Sequence, residues 1–304
     1  MRVTMTGATG LIGPRLVREL IARGDEVTVL SRNPDKARET LPGVEAVGWS
    51  DPVASPAPAA ALDGRDAVVH LAGEPVAQRW NAKVKRAIEE SRDAGTRNLV
   101  AGMRDAEAPP GVLVSSSAVG YYGPHGDERL PETTGPGEDF LAGVCVGWER
   151  EAKAARKFDA RVVLIRTGIV LDATGGALKT MLPPFKAGVG GPVAGGDQWM
   201  PWIHLDDLVG LYLAALDHDD WDGPVNGSAP EPVTNKAFSK TLGKVLKRPA
   251  FAPVPAFAIK ALYGEMATIV VNGQRAVPER ALALGYSFKH PDLEPALRSA
   301  LGKT

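Results

Sequence analysis

The chain has 304 residues, of which 44% are apolar and 23% charged, a composition typical of a globular protein with a sizeable core. Its 35 basic and 36 acidic residues leave a net charge of −1, which gives no support for broad binding to nucleic acid or to a membrane surface. Cys145 is the single cysteine, so an intramolecular disulfide and a cysteine-rich zinc site are excluded.

The sequence predicts neither a membrane segment nor a metal site. No apolar run reaches the roughly 18 residues of a spanning helix. Residues 1–7 run directly into a glycine turn, without the apolar core of a signal peptide. The five histidines are scattered without the spacing of metal ligands. We therefore expect a cytoplasmic protein that holds no metal ion and has no nucleic-acid or membrane partner.

Short β-like runs alternate with helical patterns through the first half of the chain. Alternation of this kind predicts an α/β fold with a doubly wound parallel sheet, on which ligands bind beyond the carboxyl ends of the strands. The predicted strands are 3–6, 26–30, 44–47, 66–71, 111–115 and 161–165, and the predicted helices are 11–23, 81–104 and 139–157.

The second half of the chain is less regular and predicts a smaller, α-rich substrate lobe. Prolines 183–184 and the glycine-rich run 188–196 interrupt it. Helical patterns follow at 204–216, 235–246, 256–262 and 278–284. We predict a nucleotide-binding domain over 1–170, to which 203–228 returns, and a C-terminal lobe over 229–304, with 171–202 contributing to the cleft.

Three glycines between the first strand and the first helix are the strongest functional signal. Gly7 permits a tight turn, Gly10 lets the backbone approach a pyrophosphate, and Gly13 lets the helix pack close to the strand. The helix N-terminus supplies free N–H groups and positive potential for the phosphates. A purely structural turn is the alternative. We expect a dinucleotide cofactor to contact this turn, at Gly7, Thr9, Gly10, Leu11, Ile12 and Gly13.

The end of the second strand favours NADP(H) over NAD(H). A carboxylate at this place would accept a hydrogen bond from the ribose of NAD(H), and none is present. Instead Arg32 offers a planar donor for a 2′-phosphate, with Ser31 beside it. The alternative is an exposed arginine that stacks on the adenine or has no role.

Four motifs make the chain resemble the extended short-chain dehydrogenase/reductase superfamily, of the NAD-dependent epimerase/dehydratase type. They are residues 6–13, 66–73, 114–123 and 202–207. More narrowly, the chain is similar to the atypical branch of family 39U epimerase-like proteins. That similarity rests on residues 73–75, 144–149, 166–171, 182–192 and 277–286, and it spans nearly the whole chain.

The resemblance implies a Rossmann core that binds NADP(H) and a small lobe that closes over a substrate cleft. It places Leu71 and Ala72 on the adenosine and phosphate side of the cofactor and Val170 beside the nicotinamide. Gly73 and Glu74 come shortly after the predicted strand 66–71. Glu74 is either a contact of the nicotinamide ribose or an ordinary loop carboxylate. Arg92 could hold the cofactor's phosphate or ribose, hold a substrate anion, or be a surface arginine.

The catalytic pattern of the family is broken in this chain. Enzymes of the family use a serine, a Tyr-x-x-x-Lys pair and an upstream asparagine to move a proton while hydride moves. Ser117 matches the serine, Arg92 stands at the asparagine position, and residues 140–149 hold neither tyrosine nor lysine. Three substitutes are open: Tyr121 or Tyr122 as proton donor, a Cys145–Glu149 acid/base pair, or His204 as a relay. We take Ser117, Tyr122 and Glu149 as the catalytic candidates.

These observations favour an NADP(H)-dependent oxidoreductase or epimerase-like enzyme of unknown small-molecule substrate. Gln198, Trp199 and Trp202 could contact a planar or sugar-like substrate, or could pack between the lobes. The alternative is a non-catalytic NADP(H)-binding sensor or partner-binding protein. A nucleotide-sugar epimerase proper is disfavoured because its chemistry relies on the missing tyrosine. A homodimer could form through the helices 81–104 and 139–157.

Overall fold

Residues 1–303 are described by a computed structural model, in which strands and helices alternate through the first 230 residues. The strands are β1 (Arg2–Thr6), β2 (Glu26–Ser31), β3 (Glu45–Gly48), β4 (Ala67–His70), β5 (Val112–Ala118), β6 (Arg129–Leu130), β7 (Arg161–Thr167), β8 (Ile169–Leu171), β9 (Trp199–Met200), β10 (Trp202–His204), β11 (Gly223–Gly227), β12 (Val233–Thr234) and β13 (Arg275–Ala276). The helices are α1 (Gly13–Ala22), α2 (Pro34–Thr40), α3 (Ala82–Arg104), α4 (Phe140–Lys153), α5 (Gly176–Lys186), α6 (Leu205–Asp217), α7 (Asn235–Leu246), α8 (Ala256–Tyr263), α9 (Ala267–Val271), α10 (Glu279–Ala283) and α11 (Leu293–Ala300).

Seven of these strands form one parallel sheet in the order β3-β2-β1-β4-β5-β7-β11. The order reverses between β1 and β4, because the chain first winds outward through β2 and β3 and then returns to the other side of β1. The carboxyl ends of β1 and β4 therefore flank a crevice of the kind in which doubly wound sheets bind ligands. The predicted doubly wound Rossmann-type sheet is confirmed.

Helices cover both faces of the sheet and create two separate cores. On one face, α1 and α6 pack through Leu16, Leu20 and Leu208 against the sheet residues Val3 and Val69. On the opposite face, α3 packs through its apolar side chains against β4, β5 and β7, and the residues of this core include Leu99, Met103, Val68, Leu113 and Val162. The alternation of side chains along each strand feeds both cores, as a strand buried on two faces requires.

A third core lies in the C-terminal part of the chain, where α5, α7 and α11 pack together. Leu178, Leu182 and Phe185 of α5 are buried in it beside Phe238 and Leu297. The carboxylate of Asp207 at the start of α6 accepts the backbone N–H groups of Lys289 at 2.6 Å and His290 at 2.9 Å. This buried acceptor ties the C-terminal segment to the nucleotide-binding half of the molecule.

One local prediction fails for an identifiable reason, and another differs from the structure only at its C-terminal end. Pro183 and Pro184 do not interrupt the chain but lie in the last turns of α5. Burial of the apolar face of α5 outweighs the loss of two backbone N–H donors. The helix predicted over 139–157 ends as an α-helix at Lys153 and continues as a 3₁₀ turn to Phe158.

His70, at the end of β4, joins the strand to its neighbours by side-chain hydrogen bonds. One ring nitrogen lies 2.6 Å from the hydroxyl of Thr6 on β1, and the other lies 2.9 Å from the hydroxyl of Thr96 on α3. Burial, and secondarily the positive charge of Arg92, lowers the pKa of His70 from 6.5 to about 4. The imidazole is therefore neutral in the folded protein at pH 7.

We predict that His70 makes the stability of the fold depend on pH. Between pH 6.5 and about 4 the unfolded chain binds a proton at this residue and the folded chain does not. The free energy of unfolding should therefore be undiminished above pH 6.5 and fall on acidification, with His70 contributing on the order of 3 kcal/mol. Urea unfolding of the wild type and His70→Asn at pH 7 and about pH 4.5 measures this share. His125→Asn, on a partly exposed loop, is the control. Equal losses in the wild type and His70→Asn would contradict the prediction.

Candidate functional site

The glycine turn after β1 lies directly against the end of β4. Gly7 has a φ of +68°, and a Cβ atom placed on it would lie 2.6 Å from the carbonyl carbon of Leu71 and 2.7 Å from the amide nitrogen of Ala72. Only glycine meets both the left-handed backbone conformation and this close approach. A Cβ atom on Gly13 would likewise overlap the backbone of Ala8, so α1 starts tightly against the turn.

The N-terminus of α1 is free to bind an anion. Ile12 occupies the N-cap without a side-chain hydrogen bond, and the first turn carries no acidic residue. Thr9 and Gly10 are exposed at the turn. Unpaired N–H groups of a first helical turn, with the positive end of the helix dipole, suit a phosphate group. The predicted positions Gly7–Gly13 therefore fit the pyrophosphate of a dinucleotide.

The other predicted cofactor positions lie along the same edge of the sheet. Arg32 is exposed at the end of β2, and the hydroxyl of Ser31 donates to the carbonyl of Asn33 at 3.0 Å. On the far side, Leu11 approaches the start of α5, since a Cβ atom on Gly176 would lie 3.0 Å from Leu11 Cδ2 and 3.9 Å from the carbonyl oxygen of Val170. Apart from Val170 on β8 and Arg92 on α3, the predicted positions therefore follow the carboxyl ends of β2, β1 and β4.

Arg92 reaches this edge from α3, on the face opposite α1. A Cβ atom on Gly73 would lie 3.0 Å from the guanidinium carbon, and the ring of Trp148 lies 4.9 Å from the same carbon. Its Nη1 donates to the carbonyl oxygens of Glu74 at 3.0 Å and Ile88 at 3.1 Å. Arg92 is thus a fixed, partly buried residue beside Gly73 and Glu74, not an unconstrained surface arginine.

Two of the three catalytic candidates, Ser117 and Glu149, share a hydrogen bond, and Glu149 also forms a buried ion pair with Arg166. The hydroxyl of Ser117 donates to Glu149 Oε1 at 2.8 Å. Both oxygens of Glu149 accept from Arg166 of β7, Oε1 from Nε at 2.8 Å and Oε2 from Nη2 at 3.0 Å. The side chains of Glu149 and Arg166 are only 1% and 3% exposed. Bidentate pairing in a dry site is the strong form of this interaction.

The third candidate, Tyr122, joins the same network through Arg166. Its hydroxyl accepts from Arg166 Nη1 at 3.0 Å and donates to Asn226 Oδ1 at 2.7 Å. Burial raises the pKa of Tyr122 to about 12, although Arg166 opposes that shift. With no exposed surface and both hydrogen-bonding capacities used, this phenol is held in place within the protein.

Tyr121 is the neighbouring phenol, and its environment differs. It is partly exposed, and its hydroxyl has no hydrogen-bond partner among residues 1–303. The guanidinium carbon of Arg166 lies 3.5 Å from the centre of its ring. Its own position is fixed by this cation–π contact and by an edge-to-face contact with Tyr122 at 5.4 Å.

The remaining substitutes for the missing relay are occupied elsewhere. Cys145 is buried with its sulfur 3.8 Å from the carbonyl of Ala118, and burial raises the pKa of the thiol to about 12. His204 caps α6 by accepting the amide of Asp206 at 3.1 Å and stacks on His290 at 3.8 Å. His204 lies on the face of the sheet that α1 and α6 cover. Arg15 is nearby and pairs with Asp206 at 3.2 Å.

The fold also assembles a histidine cluster that sequence spacing did not show. His204, Asp206 and His290 each bring one ligand atom within 4.8 Å of the others. Asp206 Oδ1 pairs with Arg15, and Nδ1 of His204 caps α6, while Nε2 of His204 is buried without a hydrogen-bond partner among residues 1–303. The cluster lies where α1, α6 and the C-terminal segment meet.

The aromatic loop predicted to contact substrate divides into two parts. Trp202 is fully buried, and its ring nitrogen donates to the carbonyl of Glu231 at 3.2 Å. Trp199 is partly exposed, and its ring nitrogen donates to Asp127 Oδ1 at 2.9 Å. The guanidinium carbon of Arg275 lies 4.1 Å from the centre of the Trp199 ring. Gln198 donates to the carbonyls of Val193 and Val270. Trp202 therefore belongs to the core, and of the two tryptophans it is Trp199 that is partly exposed.

Sequence reasoning missed three residues that organise this site, Arg166, Asn226 and Glu132. The side-chain oxygen of Asn226 accepts from Tyr122, and the backbone N–H of Asn226 donates to Glu132 Oε1 at 2.8 Å. Arg166 was noted only as part of a family motif. A charged residue near the end of the apolar run Arg161–Thr167 is the signal that could have identified it, because a buried charge needs a partner.

No helix within residues 1–303 is both long and apolar enough to cross a membrane.

The model of the NAD dependent epimerase/dehydratase family matches residues 3–226, and a domain of unknown function matches residues 254–300. The epimerase family protein SDR39U1 homolog, chloroplastic, of Arabidopsis thaliana is 43% identical over 99% of this chain and 87% of its own length. Epimerase family protein YfhF of Bacillus subtilis is 37% identical over 98% of this chain and 97% of its own length.

Two solved structures are similar over the full chain. Human epimerase family protein SDR39U1 (isoform2) with NADPH has a TM-score of 0.89 at 36% identity and covers 100% of both chains. The nucleoside-diphosphate sugar epimerase from Corynebacterium glutamicum has a TM-score of 0.78 at 35% identity and covers 99% of this chain and 58% of its own. With the glycine turn, the sheet order and these matches together, the chain belongs to the NAD-dependent epimerase/dehydratase family, next to the SDR39U1 proteins.

Proposed function

We propose that the chain is an NADP(H)-dependent oxidoreductase or epimerase-like enzyme acting on a small molecule. The observation that carries the proposal is the glycine turn, which abuts β4 and leaves the first turn of α1 free for a pyrophosphate. The human SDR39U1 structure, 36% identical over the whole chain, contains NADPH. When bound, the cofactor would supply or accept hydride. No specific observation favours the alternative of a non-catalytic sensor.

Preference for NADP(H) would come from the end of β2. Arg32 is exposed there, and no carboxylate of residues 1–303 pairs with it. A guanidinium with free donors suits the added 2′-phosphate of NADP(H), whereas NAD(H) would leave it without a counter-charge. A homodimer and a cytoplasmic location stay predictions, and the Arabidopsis relative is named as chloroplastic.

We predict that Arg32→Gln weakens NADPH binding about tenfold and leaves NADH binding nearly unchanged, because one charge-assisted contact to phosphate is lost. Titration of NADPH and NADH fluorescence against the purified protein measures both dissociation constants. Lys36→Gln, on the exposed side of the adjacent α2, is the matched control and should leave both unchanged. Equal weakening of both cofactors by Arg32→Gln would assign this arginine to the adenine, not to the 2′-phosphate.

For the proton step we propose Tyr121 in place of Tyr122. Both phenols follow β5, but the hydroxyl of Tyr122 is engaged by Arg166 and Asn226, while that of Tyr121 is free and partly exposed. A proton donor must reach its substrate, so the free hydroxyl is the better candidate. Arg166 beneath the ring of Tyr121 would stabilise negative charge as the proton leaves.

We expect Tyr121→Phe to lower hydride transfer by about a hundredfold or more, as loss of a general acid does. The assay incubates the protein with NADPH deuterated at its transferable position and a metabolite extract, and follows the label by mass spectrometry. Tyr122→Phe is the matched control and should keep the rate per folded molecule. If Tyr121→Phe transfers deuterium to a metabolite as fast as the wild type does, Tyr121 is not the proton donor.

Glu149 would act by positioning Ser117 and Arg166. Both carboxylate oxygens are already used inside the network, so the group has no oxygen left for an external proton. Ser117 is 2% exposed and its hydroxyl points to Glu149, which fixes the orientation of the Ser117 oxygen at the end of β5.

We predict that Glu149→Gln lowers the free energy of unfolding by about 3 kcal/mol or more, because it leaves the buried Arg166 without its counter-charge. Urea unfolding measures the change. Glu151→Gln, which removes the ion pairs of Glu151 with the exposed Arg97 and Arg150, should cost about 1 kcal/mol or less. A loss of activity in Glu149→Gln at unchanged stability would instead indicate an acid/base role.

A further inference from the structure

The most exposed large apolar side chains of residues 1–303 all lie in the second half of the chain. They are Val189 at 62%, Phe251 at 81%, Phe257 at 75% and Leu262 at 63%. Phenylalanine is one of the residues most often buried in a globular domain, so two such exposed rings together mark an interaction surface. We call these four residues the apolar patch.

Val189 and Phe251 lie on two chain segments that run side by side. A Cβ atom on Gly188 would lie 3.4 Å from Cγ of Pro249. A few residues further along, a parallel β-bridge joins the same two segments, and backbone hydrogen bonds of 2.9 Å flank it. Both exposed side chains follow the contact between Gly188 and Pro249 closely, so they lie at the same place on the surface.

The other two patch residues lie on α8, which has no buried residue. The helical period places one set of residues on its outer side, in the order Lys260, Phe257, Ala261, Ala258 and Leu262. On the inner side, Tyr263 packs against the cluster that contains Trp80 and Met266. The outer side is therefore apolar with a lysine at its edge, the pattern of a helix that lies in a membrane interface.

The orientation of α8 is fixed by the loop after β4. Arg79 Nη1 donates to the carbonyl oxygens of Ala261 at 3.0 Å and Leu262 at 3.3 Å. Glu265, just beyond the helix, pairs with Lys85 of α3. These contacts hold the outer side of α8 away from the protein.

Positive charge surrounds the apolar patch without acidic residues to balance it. Residues 232–264 contain no aspartate or glutamate, and their basic residues are Lys236, Lys240, Lys244, Lys247, Arg248 and Lys260. Within residues 1–303, Lys244 alone among these forms an ion pair, with Glu294 at 2.6 Å. The other cations are therefore free to attract an anionic surface.

A groove beside the patch combines cations with apolar walls. Its volume is about 440 Å³, and its lining includes Lys186, Arg248, Leu246 and Leu301. Lys186 and Arg248 come shortly before the patch residues Val189 and Phe251 in the chain, so the groove and the patch are neighbours. Neither cation has an ion-pair partner within residues 1–303. A groove of this composition suits a lipid phosphate together with the start of an acyl chain.

We propose that the apolar patch and this groove bind the surface of a membrane that contains anionic lipid. The phenylalanines would enter the interface while the basic residues contact the headgroups. The expectation of no membrane partner rests on the net charge of the whole chain, which averages over this local excess of positive charge. This inference does not depend on the proposed function.

Other occupants fit the surface less well. A second copy docked by two-fold symmetry would bring the same basic residues against one another. A nucleic acid would pair with the cations but would leave the aliphatic side chains of Val189 and Leu262 without an apolar partner.

The test is flotation of the purified protein with vesicles of phosphatidylcholine alone or of phosphatidylcholine mixed with phosphatidylglycerol. We expect at least about tenfold tighter binding to the mixed vesicles, and loss of this preference at high salt. The double variant Phe251→Ser/Phe257→Ser should bind the mixed vesicles at least about tenfold more weakly, because two aromatic side chains no longer enter the membrane. Leu282→Ser, at an exposed apolar residue of α10 outside the patch, is the control and should bind as the wild type does.

The charge contribution has its own variants. Arg248→Gln and Lys260→Gln should each weaken binding to mixed vesicles about fivefold, whereas Lys157→Gln, an exposed lysine outside this region, should not. Urea unfolding of all these variants should match the wild type, because the altered side chains are exposed.

Several results would overturn the proposal. They are a wild type that floats with neither vesicle, equal binding to both kinds of vesicle, and a double phenylalanine variant that binds as tightly as the wild type. A dimer that the double variant dissociates, in a protein that does not bind vesicles, would assign the patch to a second copy. Binding of a single-stranded oligonucleotide in place of vesicles would assign it to nucleic acid.

Discussion

The buried ion pair between Glu149 and Arg166 is the interaction on which the candidate site depends. It joins α4 to β7 at the carboxyl edge of the sheet, where Ser117 and both tyrosines also lie. Two charges removed from water must find each other with good geometry. Here Glu149 Oε1 also accepts from Ser117, and Nη1 of Arg166 donates to the hydroxyl of Tyr122 and the carbonyl of Glu132. The pair thereby determines where the hydroxyl of Ser117 points, which phenol is locked and which ring the guanidinium covers.

The altered α4 explains why such a network is needed. The side of α4 that faces the 3₁₀ turn after β5 carries Leu141 and Cys145, which lie 3.5 Å and 4.0 Å from a Cβ atom placed on Gly120. No phenol and no ammonium group project from this face. Positive charge reaches the region from other elements, through Arg166 on β7 and Arg92 on α3. The chain therefore keeps cations at the site although the tyrosine–lysine pair of the family is absent.

Prediction from sequence succeeded for structural features that depend on residues adjacent in the chain. The strands of the main sheet except β11 were located by their apolar runs, and the glycine turn by its spacing between a strand and a helix. Prediction failed for α5, where tertiary burial of Leu178 and Leu182 retains two prolines inside a helix. It also missed β11, since the short segment Gly223–Gly227 has neither a long apolar run nor alternation.

The sequence by itself determined the doubly wound fold, the glycine turn and the absence of an acid after β2, because each depends on local spacing or on the period of apolar residues. Only the tertiary structure decided the state of the polar side chains. Tyr122 is locked by Arg166, 44 residues away, and by Asn226, 104 residues away, while the adjacent Tyr121 stays free. Arg92 likewise acquires its position from Gly73 and Trp148, which contact its guanidinium. Hydrogen bonds and charge pairing between distant segments arise only when the strands are brought side by side, so no local pattern encodes them.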